Sequence, residues 1–217
     1  MASTLNVAQA LRRSPVAEAI RRERIVGIMR RLPPAVVDRT VEALLAGGLT
    51  VVEFTVDSED ALGSIARWSR DGRAVVGAGT VRTLDQVDPA VDAGARFLVA
   101  PTYQEPVVER ALELGVPCVP GTLSPTEIDG AWQQGATFVK LFPATAVGPE
   151  YLRAVLAPLQ DVEIVVTGGV TEATARSFLE AGAVAAGVST AQLAQPESPD
   201  GDFGALERAA RSLLANL

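Results

Sequence analysis

The sequence contains no histidine and a single lysine: of its 19 basic residues, 18 are arginine and one is Lys140. Without histidine, Ser-His and Cys-His nucleophilic catalysis are excluded. So are histidine-ligated metal sites, and the lone Cys118 leaves no thiolate cluster. No internal disulfide is possible, which suits a reducing compartment. No apolar run approaches the roughly 20 residues that a membrane helix needs. The arginines near the start (Arg12, Arg13, Arg21, Arg22 and Arg24) are not followed by an apolar stretch of signal-peptide length. A soluble, cytoplasmic protein without membrane contact is therefore expected. A formal net charge of −7 removes nucleic acid from the expected partners. Any proton transfer falls to carboxylates, Lys140, tyrosine or water.

What is present is alternation. Short Val- and Ile-rich runs are each followed by a helical pattern that ends near glycine. Eight strands are predicted at 25–29, 51–56, 74–77, 97–100, 117–120, 137–142, 163–166 and 184–188. The intervening helices show i, i+3/i+4 apolar spacing, as in Val37, Val41, Leu44 and Leu45, and again in Leu206, Ala209, Ala210, Leu213 and Leu214. Helix starts are signalled by Ser58, by Thr83 with Gln86, by Ser124-Pro125 and by Thr171. Helix ends are signalled by Gly47-Gly48, Gly72, Gly94, Gly115, Gly135 and Gly182. Eight βα units predict an α/β fold of one domain over 1–217, a (β/α)8 TIM barrel. The rival, a doubly wound sheet, wants a GxGxxG turn after the first strand, and Met29-Arg30-Arg31-Leu32-Pro33-Pro34 stands there. Residues 1–24 are expected to form an extra N-terminal helix with apolar positions Leu5, Val7, Ala10, Leu11, Val16, Ala19 and Ile20.

In such barrels the chemistry gathers at the C-terminal strand ends. Alternation in Phe138-Val139-Lys140-Leu141-Phe142 puts Lys140 on the face away from the helices, inside the barrel. At an ordinary pKa of about 10.4, well under 0.1% of amines are free base at pH 7; lowering it to roughly 7–8 raises that fraction several-hundred-fold. Burial supplies this shift, which imine formation requires. The bland alternative is a lysine that snorkels to the rim or pairs with an inward acid. The use of lysine once, against arginine everywhere else, favours a nucleophile. Val51, Glu53 and Thr55 share the inner face of the second strand. Glu53 is thus the candidate proton shuttle for Lys140, or else its charge partner. Arg30 ends the first strand and suits a substrate carboxylate, with Arg31 beside it. The Gly77-Ala78-Gly79-Thr80 and Thr167-Gly168-Gly169 turns allow close backbone approach to an anion. Ser189 and Thr190 end the eighth strand, where such barrels hold phosphate.

From Arg24 onward the chain resembles the 2-keto-3-deoxy-6-phosphogluconate / 4-hydroxy-2-oxoglutarate aldolases. The resemblance rests on Ile28-Met29-Arg30, Glu53-Phe54-Thr55-Val56, Gly77-Ala78-Gly79-Thr80-Val81 and Pro120-Gly121-Thr122-Leu123-Ser124-Pro125-Thr126-Glu127. It continues through Lys140-Leu141-Phe142-Pro143, Val147-Gly148-Pro149 and Thr167-Gly168-Gly169-Val170. It implies a class I, Schiff-base aldolase that needs no metal or other cofactor. Such an enzyme cleaves a small 2-keto-4-hydroxy acid to pyruvate and an aldehyde, usually as a homotrimer. It implies that Lys140 is the Schiff-base lysine and Glu53 the acid/base. Arg30 and Thr80 would bind the carboxylate, and Pro101 and Phe142 would form the pocket wall. The chain departs from many members in Ala100 before Pro101, in Thr145, in Asp57 where some have arginine, and in Ser189-Thr190 where Gly-Ser is frequent. Two other readings remain open from the residues. One is a sugar-phosphate barrel enzyme such as an epimerase or synthase, which needs no inward lysine. The other is a non-catalytic binding barrel.

Overall fold

The structure, a computed structural model, describes residues 2–217, with side chains from Asn6 onward. Strands β1 (Ile25–Met29), β2 (Val51–Thr55), β3 (Val75–Gly79), β4 (Leu98–Val99), β5 (Cys118–Val119), β6 (Gly121–Thr122), β7 (Val139–Leu141), β8 (Ile164–Thr167) and β9 (Ala185–Ser189) form one all-parallel sheet in the order β5-β4-β3-β2-β1-β9-β8-β7-β6. The two ends of that order, β5 and β6, are consecutive in the chain and separated only by Pro120. They are one stave of the barrel, so eight staves close the sheet on itself. The expected fifth strand is split because proline has no N–H to give to a ladder. Below Pro120, β5 pairs with β4. Above it, β6 pairs with β7.

Helices α3 (Pro34–Ala46), α4 (Ala61–Asp71), α5 (Val87–Asp92), α6 (Glu105–Glu113), α7 (Pro125–Gln134), α8 (Gly148–Leu156), α9 (Glu172–Glu180) and α10 (Phe203–Ala215) follow the staves in turn, preceded by α1 (Ala2–Arg12) and α2 (Pro15–Glu23). The capping signals hold at Thr83/Gln86, Ser124/Glu127 and Thr171. Ser58 is the exception: α4 starts from Asp60, and the Ser58 hydroxyl instead accepts the Arg31 N–H and bonds Thr55. Tertiary partners outcompete a local cap there.

Two separate apolar cores result. The larger lies between strands and helices and takes Val52, Phe54, Val139, Leu141, Val166 and Val188 from the outer strand faces. The smaller fills the barrel with Val26, Val51, Phe97, Val99, Val119, Phe138 and Val165. Its floor is α2, whose Val16, Ala17, Ala19 and Ile20 close the N-terminal mouth. Strand alternation thus places Val51 and Phe138 in this filling, with Glu53 and Lys140 one step higher toward the C-terminal mouth.

The single extra helix expected over 1–24 is broken in two. Pro15 cannot continue α1, and Ser14 caps α2 by accepting the Ala17 N–H at 3.2 Å. The break also turns the packing face of α1. Ala8 and Leu11 are buried, while Val7 and Ala10 are exposed, contrary to the even stripe expected; the Leu5 side chain lies outside the described residues. Arg12 secures α1 by donating to the carbonyls of Trp132 and Ala136. Polar ties anchor α2 to the barrel floor. Arg21 pairs with Glu163, and Glu23 accepts from the Thr50 and Val51 N–H groups.

Candidate active site

With the N-terminal mouth plugged, the opening is at the C-terminal strand ends. A cavity of about 530 Å³ lies there. Glu53 and Lys140 form its base, 3% and 6% exposed. The register sets Glu53 beside Gly77 of β3 and Lys140 beside Gly121 of β6 and Val165 of β8. Above Val75 the inward positions of β3, Gly77 and Gly79, carry no side chains, and the space is used. The Phe97 ring lies against Gly77 and the Glu53 carboxylate against Gly79.

Burial is the dominant influence on both charged groups. Loss of hydration pushes the Lys140 amine below its ordinary pKa. The nearby Glu53 charge works against that fall, and Arg30 adds to it. Loss of hydration likewise pushes the Glu53 carboxyl up, opposed by Lys140 and Arg30. Both shifts favour neutral forms. Among the described residues, neither side chain has a hydrogen-bond partner; the contact to Lys140 Nζ is the Phe142 ring, 4.9 Å from its centroid. Cys118, by contrast, sits among the outer core residues, and burial pushes its thiol up to about 12.

The remaining wall comes from loops that follow the staves. Arg30, Thr80, Pro101, Phe142, Thr167, Gly168, Gly169 and Ser189 all line the cavity. Thr80 holds φ +61, a strained value for a β-branched residue. Gly168 and Gly169 hold φ +98 and +75. A Cβ on Gly169 would stand 2.4 Å from Thr145 Oγ1, whose hydroxyl donates to the Gly168 carbonyl at 2.8 Å. Thr145 therefore fixes this turn. Thr190 is different from its expected place: it is fully buried, bonding the Ile28 carbonyl and Gln195, and its side chain does not enter the cavity. The residue that does so from that turn is Gln192.

Four more polar groups line the mouth without having been singled out from the sequence as binding groups: Asp57, Arg82, Gln86 and Gln192. Gln192 follows Ser189 within one turn, a position that could have been read as part of the same strand-end loop. Arg82 carries no local signal, and Gln86 was legible only as the capping partner of Thr83. Among the described residues, no group of three or more His, Cys, Asp or Glu side chains is placed to hold a metal ion, and no helix is long and apolar enough to cross a membrane.

An amine and a carboxyl whose burial favours their neutral forms, at the base of a polar cavity, can add to a ketone and exchange protons with the adduct. Comparison with known proteins agrees with that chemistry. Residues 16–208 match the family model described as KDPG and KHG aldolase. A probable 2-dehydro-3-deoxy-6-phosphogalactonate aldolase of Rhizobium meliloti is 34% identical over 88% of this chain and 90% of its own length. A 2-dehydro-3-deoxy-phosphogluconate aldolase of Pseudomonas aeruginosa is also 34% identical, over 85% and 88%. Among solved structures, the 2-keto-3-deoxy-6-phosphogluconate aldolase of Zymomonas mobilis superposes with a TM-score of 0.84 at 26% identity, covering 94% of this chain and 98% of that one.

Proposed function

Because this chain belongs to the KDPG and KHG aldolase family, we propose that Lys140 is its Schiff-base nucleophile and Glu53 its proton shuttle. The enzyme is a carbon–carbon lyase, a class I aldolase. It cleaves a 2-keto-4-hydroxy acid, 2-keto-3-deoxy-6-phosphogluconate or 4-hydroxy-2-oxoglutarate, to pyruvate and an aldehyde. The observation that carries the residue assignment is the placement of the only lysine, buried at the base of the cavity beside an equally buried carboxyl.

The proton inventory of the pair suits the sequence of steps. The neutral Lys140 amine adds to the C2 ketone. Protonated Glu53 gives its proton to the departing hydroxyl, so water leaves and an iminium remains. Glu53, now a carboxylate, takes the C4-hydroxyl proton, directly or through a water. The C3–C4 bond breaks, its electrons flow into the iminium, and the aldehyde departs as glyceraldehyde 3-phosphate or glyoxylate. Glu53 returns the proton to C3 of the enamine, and hydrolysis frees pyruvate. Arg30 and Thr80 would hold the pyruvyl carboxylate. Pro101 and Phe142 would form the wall over the pyruvyl unit. Thr167, Gly168, Gly169 and Ser189 would hold the distal end. Thr190 would contribute its backbone alone.

We read residues 1–217 as a single catalytic domain that works as a homotrimer in the cytoplasm, in carbohydrate metabolism and without a metal or organic cofactor. One closed barrel, the sequence likeness and the lack of histidine support this reading. Incubation with pyruvate and borohydride is expected to add one pyruvyl mass per chain. Lys140→Ala and Lys140→Arg should add none, and labelling that persists in them would overturn the assignment. A light-scattering mass other than three chains would overturn the trimer.

A further inference from the structure

The mouth of the cavity carries Arg30, Arg31 and Arg82, with Asp57 the only acid beside them; Glu53 lies deeper. Arg31 donates from Nε to Asp57 at 2.9 Å, with a second nitrogen 2.8 Å away. Arg30 reaches 3.8 Å from the same carboxylate oxygen. Arg82 has no carboxylate within 4.0 Å among the described residues. Asp57 is also firmly held. Arg31 takes φ +52, its N–H bonds Ser58 Oγ at 2.8 Å, and Ser58 bonds Thr55 at the end of β2 at 2.9 Å. The arrangement clasps the loop after β1 to the loop after β2, with a fixed charge in the cavity wall.

We propose that Asp57 is a specificity-determining residue: by occupying Arg31 and by placing a negative charge in the wall, it lowers the preference for phosphorylated over unphosphorylated 2-keto-4-hydroxy acids. The inference rests on the aldolase reading above. Every such substrate carries the same carboxylate beside its ketone, so any effect of Asp57 on that end is common to all. The difference lies at the other end. A phosphate brings up to about two further negative charges, and a hydroxyl brings none. One fixed charge about 10 Å away in a partly hydrated cleft changes the affinity for each substrate charge by about two- to threefold, so about three- to tenfold for a phosphate. Arg31, whose guanidinium is released when the carboxylate is lost, acts in the same direction.

The test compares kcat/KM for 2-keto-3-deoxy-6-phosphogluconate with that for its dephosphorylated counterpart. In Asp57→Asn and Asp57→Ser the ratio of phosphorylated to unphosphorylated is expected to rise by about three- to tenfold, less at high salt. Asp57→Glu keeps the charge and should leave the ratio within about twofold of the parent, the spread allowed for a shifted carboxylate at the same site. A ratio that stays the same or falls in the folded neutral variants overturns the proposal. Failure of both neutral variants to fold would do so as well, since the role would then be structural. Pyruvate trapping by borohydride on the same proteins separates the two ideas. A parent enzyme that does not trap pyruvate refutes the Schiff-base reading. One that traps it while the ratio stands still refutes only the role of Asp57.

Discussion

Gly79 gives Glu53 its place: a Cβ built on Gly79 would stand 2.5 Å from Glu53 Oε1 and 2.9 Å from its carboxyl carbon. No left-handed φ is required at Gly79, so alanine is tolerated by the backbone; the main conflict is with the carboxyl, with a lesser crowding of Thr55 Cγ2 at 3.3 Å. Gly79→Ala is predicted to keep the fold while displacing the proton shuttle. A loss of roughly 10²-fold in kcat is expected, within the usual range for a positioned acid–base group. Pyruvate trapping should survive. A variant with normal kcat would show that Glu53 does not need this position.

Replacing Lys140 should raise stability as it removes turnover. Burial holds its pKa below the unfolded value, so the folded state binds its proton less readily. The resulting penalty is absent above the unfolded value of about 10.4, grows as pH falls from there, and is complete below the folded pKa. Lys140→Met is therefore expected to raise Tm by a few degrees at neutral pH. The gain should shrink as pH rises toward 10. A lower Tm across the range would refute the buried-charge argument.

Glu53 should be visible in the pH profile of Lys140. Its negative charge raises the lysine pKa against the dominant effect of burial. Glu53→Gln removes that support, so the lysine should lose its proton at lower pH. The acid limb of the pyruvate-trapping rate is predicted to move to lower pH in Glu53→Gln, while aldol cleavage falls steeply. A limb that moves upward or stays in place would contradict the coupling.

The floor of the barrel should bear on stability and leave catalysis alone. Ile20 on α2 is 1% exposed and packs into the barrel filling with Val26, Val51 and Phe97. Ile20→Ala is expected to cost about 2–4 kcal/mol, or roughly 5–15 °C in Tm for a chain of this size. KM and kcat measured below the transition should change by less than about twofold. The reason is that Ile20 does not line the open mouth, and a large kinetic effect would show that α2 acts on Glu53 through the small inner cavity both residues line.

The strand alternation that placed Glu53 and Lys140 inside was readable because both side faces of β2 and β7 have a fixed period of two, and the outer face is claimed by apolar residues. The eight staves were readable for the same reason. What was not readable depended on contacts between distant segments. The fifth stave splits at Pro120, which has no N–H to give, and which neighbour each half then pairs with is set by the closed barrel. Ser58 gives up its cap for the Arg31 N–H, 27 residues away. Thr190 turns inward because the Ile28 carbonyl, on the neighbouring strand, offers it a partner. Asp57 was visible as an unusual residue, yet its hold on Arg30 and Arg31 needs two loops brought together by the barrel.

The sequence's only side-chain amine is sequestered, and among the described residues the ion pairs are made with guanidinium instead. Acylating dyes and crosslinkers directed at side-chain amines thus meet one target in this sequence, Lys140. Any such reagent small enough to inactivate the enzyme reports entry to the cavity itself, and one too large to enter leaves the site lysine unmodified.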